Sequence, residues 1–258
     1  MSGLEGRHAV VTGGGTGIGA AVVNLFASRG ASVTLVCPPG GESAAALVEQ
    51  RASRHGARVD VLTCDVADRD DLSTLVERAA KALGPVDIAV ANAGIATASA
   101  TTAGMDETFD RVLATDLHGV HGFFSSAVPS MTERGWGRLI ATSSTSGFLY
   151  GWDDHAAYCA AKAAVIGLVR TYACELGRYG VTANAVAPGV VVTPQSTDEV
   201  NSFGAAGLAS VAKKIPVGHV AQSEEVAGVY AFLASDDAVY VNGQTIVVDG
   251  GLSVVEPM

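Results

Sequence analysis

Short, almost continuously apolar segments alternate along the chain with longer segments in which apolar residues recur at helical spacing. A short apolar run bounded by turn residues is typical of a strand that is buried on both faces. The pattern predicts strands at residues 7–12, 32–36, 58–63, 86–91, 138–142, 181–186 and 245–248.

The longer segments place apolar residues three and four positions apart, which is the spacing of an amphipathic helix. They predict helices at residues 18–29, 43–55, 70–83, 108–133, 157–179 and 224–234. Because strands and helices alternate, we expect an α/β fold, a Rossmann-type doubly wound parallel sheet of about seven strands with helices on both faces.

Composition favours one folded domain. Of the 258 residues, 48% are hydrophobic and 16% are charged, which is enough for a sizeable core. No linker, low-complexity tract or repeat interrupts the chain, so we expect a single domain over residues 1–258. The formal net charge of −10 argues against nucleic acid or an anionic membrane surface as a partner.

Cysteine usage and the absence of long apolar runs bear on the location of the protein. The cysteines form no C-x-x-C pair and lie in or beside apolar segments, at Cys37, Cys64, Cys159 and Cys174. This usage favours a reducing, cytoplasmic setting. The N-terminus lacks the apolar core of a signal peptide, and no run reaches the roughly 18–20 residues that a membrane span needs.

A glycine cluster, residues 13–19, joins the first predicted strand to the first predicted helix. A tight glycine turn lets the backbone approach a pyrophosphate, and the helix N-terminus supplies N–H donors. The literal G-x-G-x-x-G fingerprint is not met, because Ile18 stands at its last glycine position. A connection without a ligand is the alternative, but the position in the first βα unit favours dinucleotide binding.

Tyr158 and Lys162 are four residues apart at the start of an apolar helical segment, so they lie on one helix face. A free phenol titrates near pH ~10, and a neighbouring cation lowers that pKa. The pair therefore suits a general acid/base that works near neutral pH. On its own it also fits an ordinary surface pair.

These motifs together resemble those of the short-chain dehydrogenase/reductase family. The glycine loop, the strand end Asn92-Ala93-Gly94 and Tyr158-x-x-x-Lys162 occur in the family's order. The resemblance runs over residues 6–251. It implies an NAD(P)-dependent oxidoreductase that moves a hydride between the cofactor and a small-molecule ketone or secondary alcohol.

The resemblance also implies cofactor contacts. Gly13, Gly17 and Gly19 correspond to the pyrophosphate turn, Asp65 to an adenine contact, and Thr193 to a hydroxyl near the nicotinamide. The full implied set is Gly13, Gly15, Thr16, Gly17, Ile18, Gly19, Cys37, Asp65, Val66, Asn92, Ala93, Gly94, Tyr158, Lys162, Pro188, Gly189, Val191 and Thr193.

A catalytic serine is expected at the end of the fifth strand. Alignment on Gly137 and Gly147 selects Ser144, whereas counting back from Tyr158 selects Thr145. Ser144 is preferred, because the strand end fixes geometry and a loop absorbs length. Its hydroxyl would donate to the substrate oxygen. The alternative is that these hydroxyls only cap the strand.

Asp116 departs from the family pattern, which has an asparagine that holds a water in a proton relay to the lysine. A carboxylate near Lys162 favours the ammonium form and weakens the pull of that cation on Tyr158. We expect an active enzyme with an altered pH profile. The alternative is a broken relay with low activity.

The end of the second strand decides between the two nicotinamide cofactors. Cys37 and Pro38 supply neither the acid typical of NAD-dependent relatives nor the cation typical of NADP-dependent ones. We expect NAD or NADP, with a slight preference for NAD. His118 and His121, with Asp116 nearby, have a spacing that could bind zinc, but such residues more often face solvent or other helices, and no metal is expected.

Two segments bear on the substrate. Residues 148–155 include Tyr150 and Trp152 and lead into Tyr158, so aromatic side chains there suggest an apolar or cyclic substrate. Packing of this loop on the body of the domain is the alternative. Residues 194–217, with a helical patch at 208–214, resemble the family's mobile substrate lid.

The sequence is also compatible with two other functions. A dinucleotide-sensing protein without catalysis could keep the glycine turn, and a dehydratase or epimerase could use the same scaffold. The second kind usually extends further at the C-terminus. The family resemblance also implies a homotetramer, assembled through residues 108–133, residues 157–179 and the C-terminal segment.

Overall fold

The fold is described by a computed structural model that covers residues 3–103 and 107–255. Its strands are β1 (His8–Thr12), β2 (Ser32–Cys37), β3 (Val59–Thr63), β4 (Ile88–Ala91), β5 (Gly137–Thr142), β6 (Val181–Pro188) and β7 (Thr245–Val248). Within the described residues they form one seven-stranded sheet in the order β3-β2-β1-β4-β5-β6-β7. Every pairing in it is parallel, which confirms the predicted fold class.

Helices connect the strands and cover the sheet. They are α1 (Gly17–Ser28), α2 (Glu42–Ser53), α3 (Arg69–Leu83), α4 (Glu107–Leu113), α5 (Gly119–Arg134), α6 (Thr145–Phe148), α7 (Ala156–Leu176), α8 (Gly204–Ala212) and α9 (Ser223–Ala234). Short 3₁₀ turns lie at Thr101–Ala103, Gly177–Tyr179, Asp236–Ala238 and Leu252–Val254.

The strands are apolar throughout because both faces of the sheet are buried. In β1, Val11 packs into a core with α1, α2 and α9, whereas Val10 packs into a second core with α3, α5 and α7. Both valines are fully buried. Alternation along a strand sends neighbours to opposite faces, and each fully buried valine contributes about 1.5–3 kcal/mol.

The strand order reverses between β1 and β4, because β1 leads to β2 on one side of the sheet and β4 lies on its other side. Loops that leave the carboxyl ends of these two strands diverge and open a crevice, which is where ligands bind in such sheets. The glycine cluster follows β1, and Asn92 follows β4. The topology therefore brings both motifs to one edge.

Two predicted elements differ in detail. The helix expected at 108–133 is interrupted, because a π-helical turn at Ala114–His118 separates α4 from α5. The helical patch expected at 208–214 is α8, which begins four residues earlier, at Gly204, and ends at Ala212. Among the described residues, no helix is both long enough and apolar enough to cross a membrane.

Candidate active site

A cavity of about 730 Å³ opens at the carboxyl ends of the strands. It lies in the crevice that the strand order predicts. Residues expected from the sequence to bind cofactor or act in catalysis line it: Gly13, Thr16, Gly17, Ile18, Cys37, Asp65, Val66, Asn92, Ala93, Gly94, Asp116, Ser144, Tyr158, Lys162, Pro188, Gly189, Val191 and Thr193. Gly15 and Gly19 belong to the same expected set but do not line the cavity.

The glycine turn after β1 brings backbone close to backbone. Gly13 has φ +64°, and a Cβ there would lie 2.9 Å from the Cα of Ala93. A Cβ on Gly19 would collide with the carbonyl oxygen of Gly13. Only glycine leaves this space open at the N-terminus of α1, whose first residues, Gly17 and Ile18, line the cavity. The turn therefore fits a pyrophosphate.

Asn92 joins β4 to the glycine turn. Its Nδ2 donates to the carbonyl oxygens of Thr12 and Gly13, at 3.2 and 3.3 Å. Its Oδ1 accepts from the Thr142 hydroxyl at 3.2 Å. One amide thereby holds the ends of β1, β4 and β5 in fixed relation. These contacts brace the centre of the sheet beside the cavity.

Lys162 lines the cavity and is almost fully buried. Its Nζ donates to the Thr142 carbonyl oxygen at 3.0 Å and lies 3.0 Å from Oδ2 of Asp116. The same nitrogen is 5.5 Å from the centroid of the Tyr158 ring. The lysine is therefore an ion-pair partner of Asp116 and a close cationic neighbour of the phenol.

Asp116 owes its position to the π-helical turn. A π turn widens the helix by one residue and often occurs at functional sites. Here it carries a fully buried carboxylate, whose Oδ1 accepts from the backbone N–H of Ile95 at 2.8 Å. A Cβ on Gly94 would lie 2.7 Å from Oδ2 of Asp116, so glycine is required beside it. The regular helical pattern of the sequence gives no signal for this turn.

The pKa of Tyr158 is shifted in the direction opposite to the one that the sequence predicts. Burial raises the pKa of the Tyr158 phenol above its ordinary value, Lys162 opposes that rise, and Asp116 adds to it. The lowering expected from Lys162 is thus outweighed. Burial favours the neutral amine of Lys162, but Asp116 and Tyr158 together raise its pKa. The lysine therefore stays an ammonium, and the phenol keeps its proton.

Ser144 and Thr145 differ in what their hydroxyls contact. Ser144 interacts with the Tyr158 hydroxyl and lowers the pKa of that phenol. The Thr145 hydroxyl lies 2.7 Å from the Tyr150 hydroxyl and donates to the Pro188 carbonyl oxygen at 3.2 Å. The strand end thus directs Ser144 toward the tyrosine and engages Thr145 elsewhere. Ser144 Oγ also accepts from the N–H of Ser146, at the start of α6.

The histidines on this helical segment are not arranged as a metal site. His121 Nδ1 lies 3.0 Å from the hydroxyl of Tyr172, which also contacts Ser125 at 2.8 Å. Within residues 3–103 and 107–255, no group of at least three histidine, cysteine or acidic side chains could hold a metal ion. The His121 ring is a hydrogen-bonding partner between α5 and α7.

The cavity is also lined by residues that the sequence did not single out. Phe203, Val211, Lys214 and Leu252 line it together with Trp152. Phe203, Val211 and Lys214 lie in or beside α8, within the segment 194–217. Their only sequence signal is membership of that segment, because tertiary packing and not local pattern brings them to the cavity.

Comparison with known proteins agrees with the geometry. Residues 13–253 match a protein-family model described as enoyl-(acyl carrier protein) reductase. The chain is 36% identical to a 3-oxoacyl-[acyl-carrier-protein] reductase of Thermotoga maritima, over 97% of this chain and 99% of that protein. It is 40% identical to cis-4-hydroxycyclohexanecarboxylate dehydrogenase of Sinomonas cyclohexanicum, over 96% and 97% of the two chains.

Two solved structures share the fold over nearly their whole length. Levodione reductase superposes with a TM-score of 0.89 at 32% identity, covering 98% of this chain and 99% of the other. A protein of Beutenbergia cavernae that is assigned as an NAD(P)-dependent gluconate 5-dehydrogenase was solved with NADP bound at low occupancy. It gives a TM-score of 0.89 at 34% identity, with coverage of 98% and 99%.

The parallel sheet, the glycine turn and the cavity at its switch point define an NAD(P)-dependent oxidoreductase of the Rossmann type. The chain belongs to the short-chain dehydrogenase/reductase family.

Proposed function

We propose that this enzyme interconverts a ketone and a secondary alcohol, with Tyr158 as the general acid/base. The observation that carries the proposal is the convergence of Ser144, Tyr158 and Lys162 on one cavity that also contains the dinucleotide-binding turn. A non-catalytic dinucleotide sensor would need the turn but not these three side chains. A bound nicotinamide would supply or accept the hydride.

Each proposed catalytic residue has a distinct task. In the reducing direction Ser144 donates a hydrogen bond to the carbonyl oxygen, and Tyr158 gives it a proton as negative charge develops. Lys162 stabilises the phenolate that remains, because its raised pKa keeps it charged. Asp116 sets the charge of Lys162 through the contact at 3.0 Å. In the oxidising direction Tyr158 must first lose its proton.

The cavity lining supports the proposed cofactor contacts. The turn after β1 would hold the pyrophosphate, and Asp65 with Val66 lies at the expected adenine end. No cation lies beside Cys37 and Pro38 among the described residues that line this end. A 2′-phosphate would gain no ion pair there, which supports the slight preference for NAD. The relative solved with NADP keeps the alternative open.

We also propose an apolar, ring-containing substrate. Trp152, Phe203 and Leu252 line the substrate end, and such surfaces bind apolar bodies. One relative is named as a dehydrogenase of a hydroxycyclohexanecarboxylate, which is itself a ring alcohol. Residues 194–217, which contribute Phe203, are proposed as the lid over this end of one continuous domain.

Two further proposals concern the whole protein. We propose a homotetramer, supported by exposed apolar side chains such as Phe109 on α4, fully exposed Tyr240, and Val254 near the C-terminus. We propose a cytoplasmic location, supported by the four cysteines, which are all free thiols.

The decisive experiment is a spectrophotometric screen of the purified enzyme. Cyclic, aryl and acyl ketones are offered with NADH and with NADPH, and the matching alcohols with the oxidised cofactors. We expect turnover of at least one cyclic ketone, with absorbance of the reduced nicotinamide lost in proportion. Tight NADH binding without turnover of any compound would instead favour the sensor. Consumption of an offered alcohol, followed by chromatography, without net change in the nicotinamide would favour a dehydratase or epimerase.

A further inference from the structure

Three aromatic rings join two segments that are distant in sequence, at the substrate end of the cavity. The Trp152 indole stacks on the His155 imidazole, with centroids 3.6 Å apart and planes 5° apart. It also stacks on Phe203, at 5.4 Å and 16°. Trp152 and His155 precede α7, whereas Phe203 lies in the segment 194–217. The stack is therefore a tertiary contact between that segment and the loop before α7.

The same indole contacts the proposed catalytic ring. Trp152 and Tyr158 meet edge to face, with centroids 5.7 Å apart and planes at 86°. This is one of the geometries that aromatic pairs favour. A phenol ring can rotate about its side-chain bonds, so a fixed neighbour limits the directions in which its hydroxyl points. Trp152 is the shared member of all three ring contacts.

His155 adds a polar link between the same two segments. The imidazole is buried, with Nε2 2.9 Å from the Asn201 carbonyl oxygen and Nδ1 2.7 Å from the Asp153 carbonyl oxygen. Asn201 in turn accepts from the backbone N–H of Ala98 through its side-chain oxygen, at 3.3 Å. The segment 194–217 is thus held to two loops at the cavity mouth.

The loop before α7 is itself held in an unusual conformation. Asp154 has φ +58°. Among the described residues it is the only non-glycine residue with a positive φ. Its carbonyl oxygen accepts from the N–H of Ser99 at 2.7 Å. A strained residue persists where surrounding contacts over-determine it, and such residues cluster at clamps and active sites. The loop that presents Trp152 is therefore tied by a backbone hydrogen bond to the loop that carries Ser99.

We propose that Trp152 is a positioning residue that couples the seating of the segment 194–217, through Phe203 and His155, to the orientation of the Tyr158 phenol. The proposal rests on the proposed function, because it assigns the phenol as acid/base. When Phe203 packs on Trp152, the indole is held in place. The indole in turn restricts the orientation of the Tyr158 ring. The substrate is then enclosed by the same contact that aligns the proton donor.

The first test measures the stack without turnover. The chain has two tryptophans, so Trp136→Phe leaves Trp152 as the sole indole emitter. We expect quenching of Trp152 emission by acrylamide to rise when Phe203→Leu or His155→Asn is added to that background. Tryptic cleavage after Lys213 and Lys214 should accelerate in the same variants, because the segment is no longer held down.

The second test separates positioning from simple packing. With cyclohexanone and each reduced cofactor, Trp152→Leu should lower kcat by about tenfold, whereas Trp152→Phe should restore it to within about threefold, because a ring contact with Tyr158 is kept. Phe203→Leu should lower kcat in the same direction as Trp152→Leu and should also raise KM for cyclohexanone by about tenfold, because it releases the indole that orients the phenol. The matched control is Trp136→Phe. In the unmodified enzyme the Trp136 ring centroid lies 3.6 Å from Cζ of Arg7 and 4.2 Å from Cζ of Arg138.

The outcomes distinguish the two proposals. Unchanged acrylamide quenching and unchanged proteolysis in the Phe203 and His155 variants would overturn the coupling, whatever the kinetics. Equal loss of kcat in Trp152→Leu and Trp152→Phe, or a loss that only follows melting temperature, would also overturn it. If cyclohexanone is not turned over, the quenching and proteolysis results alone decide the inference, while the ketone screen decides the function.

Discussion

At the scale of single residues, the site depends on a buried triad of charges and protons: Asp116, Lys162 and Tyr158. A carboxylate and an ammonium 3.0 Å apart largely cancel each other's field at the phenol. The net result is a phenol whose pKa is raised, chiefly by burial and further by Asp116. The protonated phenol is ready to act as an acid, whereas oxidation of an alcohol needs the phenolate.

This charge balance predicts the effect of Asp116→Asn. Removing the carboxylate takes away a cause that raises the Tyr158 pKa, so the phenolate forms at lower pH. We expect the alkaline rise of alcohol oxidation to move down by about one pH unit. The measurement is kcat/KM for oxidation against pH. Asp110→Asn, an exposed aspartate on α4, is the control and should leave the profile in place. An identical profile for Asp116→Asn would remove its electrostatic role.

Sequence reasoning at this scale could name residues that line one cavity but not their energetics. Tyr158, Lys162 and Ser144 could be found from motif and spacing. The sign of the Tyr158 pKa shift could not, because it depends on how deeply the phenol is buried. Nor could the fit of Gly94 against Asp116 be predicted, since the π turn that creates it breaks the period used to recognise the helix.

At the scale of elements, the turn between β1 and α1 determines how closely a cofactor can approach. Gly13 and Gly6 have similar positive φ, +64° and +76°. A Cβ at Gly13 meets the Ala93 backbone, whereas nothing lies within 4 Å of one at Gly6. The two positions therefore separate the conformational cost of a side chain from its steric effect on the turn.

We expect Gly13→Ala to weaken cofactor binding where Gly6→Ala does not. Both variants should lose about 1–2 kcal/mol of stability, because an L residue resists this backbone region. Only Gly13→Ala should also raise the dissociation constant of NADH, by about tenfold or more, since the turn must shift away from Ala93. Calorimetric titration with melting curves checks both. Equal NADH affinity in the two variants would contradict the proposed role of the turn.

A second element, α3, tests how well local sequence rules hold here. Asp68 precedes its first residue, and Oδ1 accepts from the N–H groups of Asp70 and Asp71 at 2.9 and 3.2 Å. We expect Asp68→Ala to destabilise the protein by about 1 kcal/mol, and Asp68→Asn to recover most of it. Chemical denaturation measures both. A full loss in the asparagine variant would show that charge rather than capping stabilises the helix.

The strands and helices were predictable from sequence periodicity, but the contacts between them were not. Strands buried on both faces and amphipathic helices carry their period in the sequence, so β1–β7 and the main helices could be located. The contact of Trp152 with Phe203 has no such signal, because the two residues are distant in sequence and meet only in the folded chain.

At the scale of the whole molecule, stability should fall in acid through carboxylates that are hydrogen-bonded in the fold. Burial opposes ionisation of Asp249, but N–H donors from Ser253 at 2.7 Å and Gly251 at 2.9 Å hold its pKa below the ordinary value. Its stabilising contribution is therefore present above the unfolded pKa of about 3.9 and is lost as pH falls through the lower folded pKa.

We accordingly expect Asp249→Asn to lower the melting temperature at neutral pH and to reduce its dependence on pH below about 4. The measurement is a series of melting curves from neutral pH into acid. Asp237→Asn supplies a comparison on an exposed 3₁₀ turn. A parallel shift of the whole series, with the acid slope unchanged, would mean that ionisation of Asp249 contributes nothing.

The most direct test of the account is Tyr158→Phe, which removes one hydroxyl from the cavity and keeps the ring that contacts Trp152. Reduction of a cyclic ketone identified in the screen is measured beside NADH binding, with Tyr179→Phe, an exposed tyrosine, as the control. The account predicts that kcat falls by about 10²–10⁴ while NADH affinity and melting temperature stay close to those of the unmodified enzyme. Retention of normal turnover by Tyr158→Phe would contradict it.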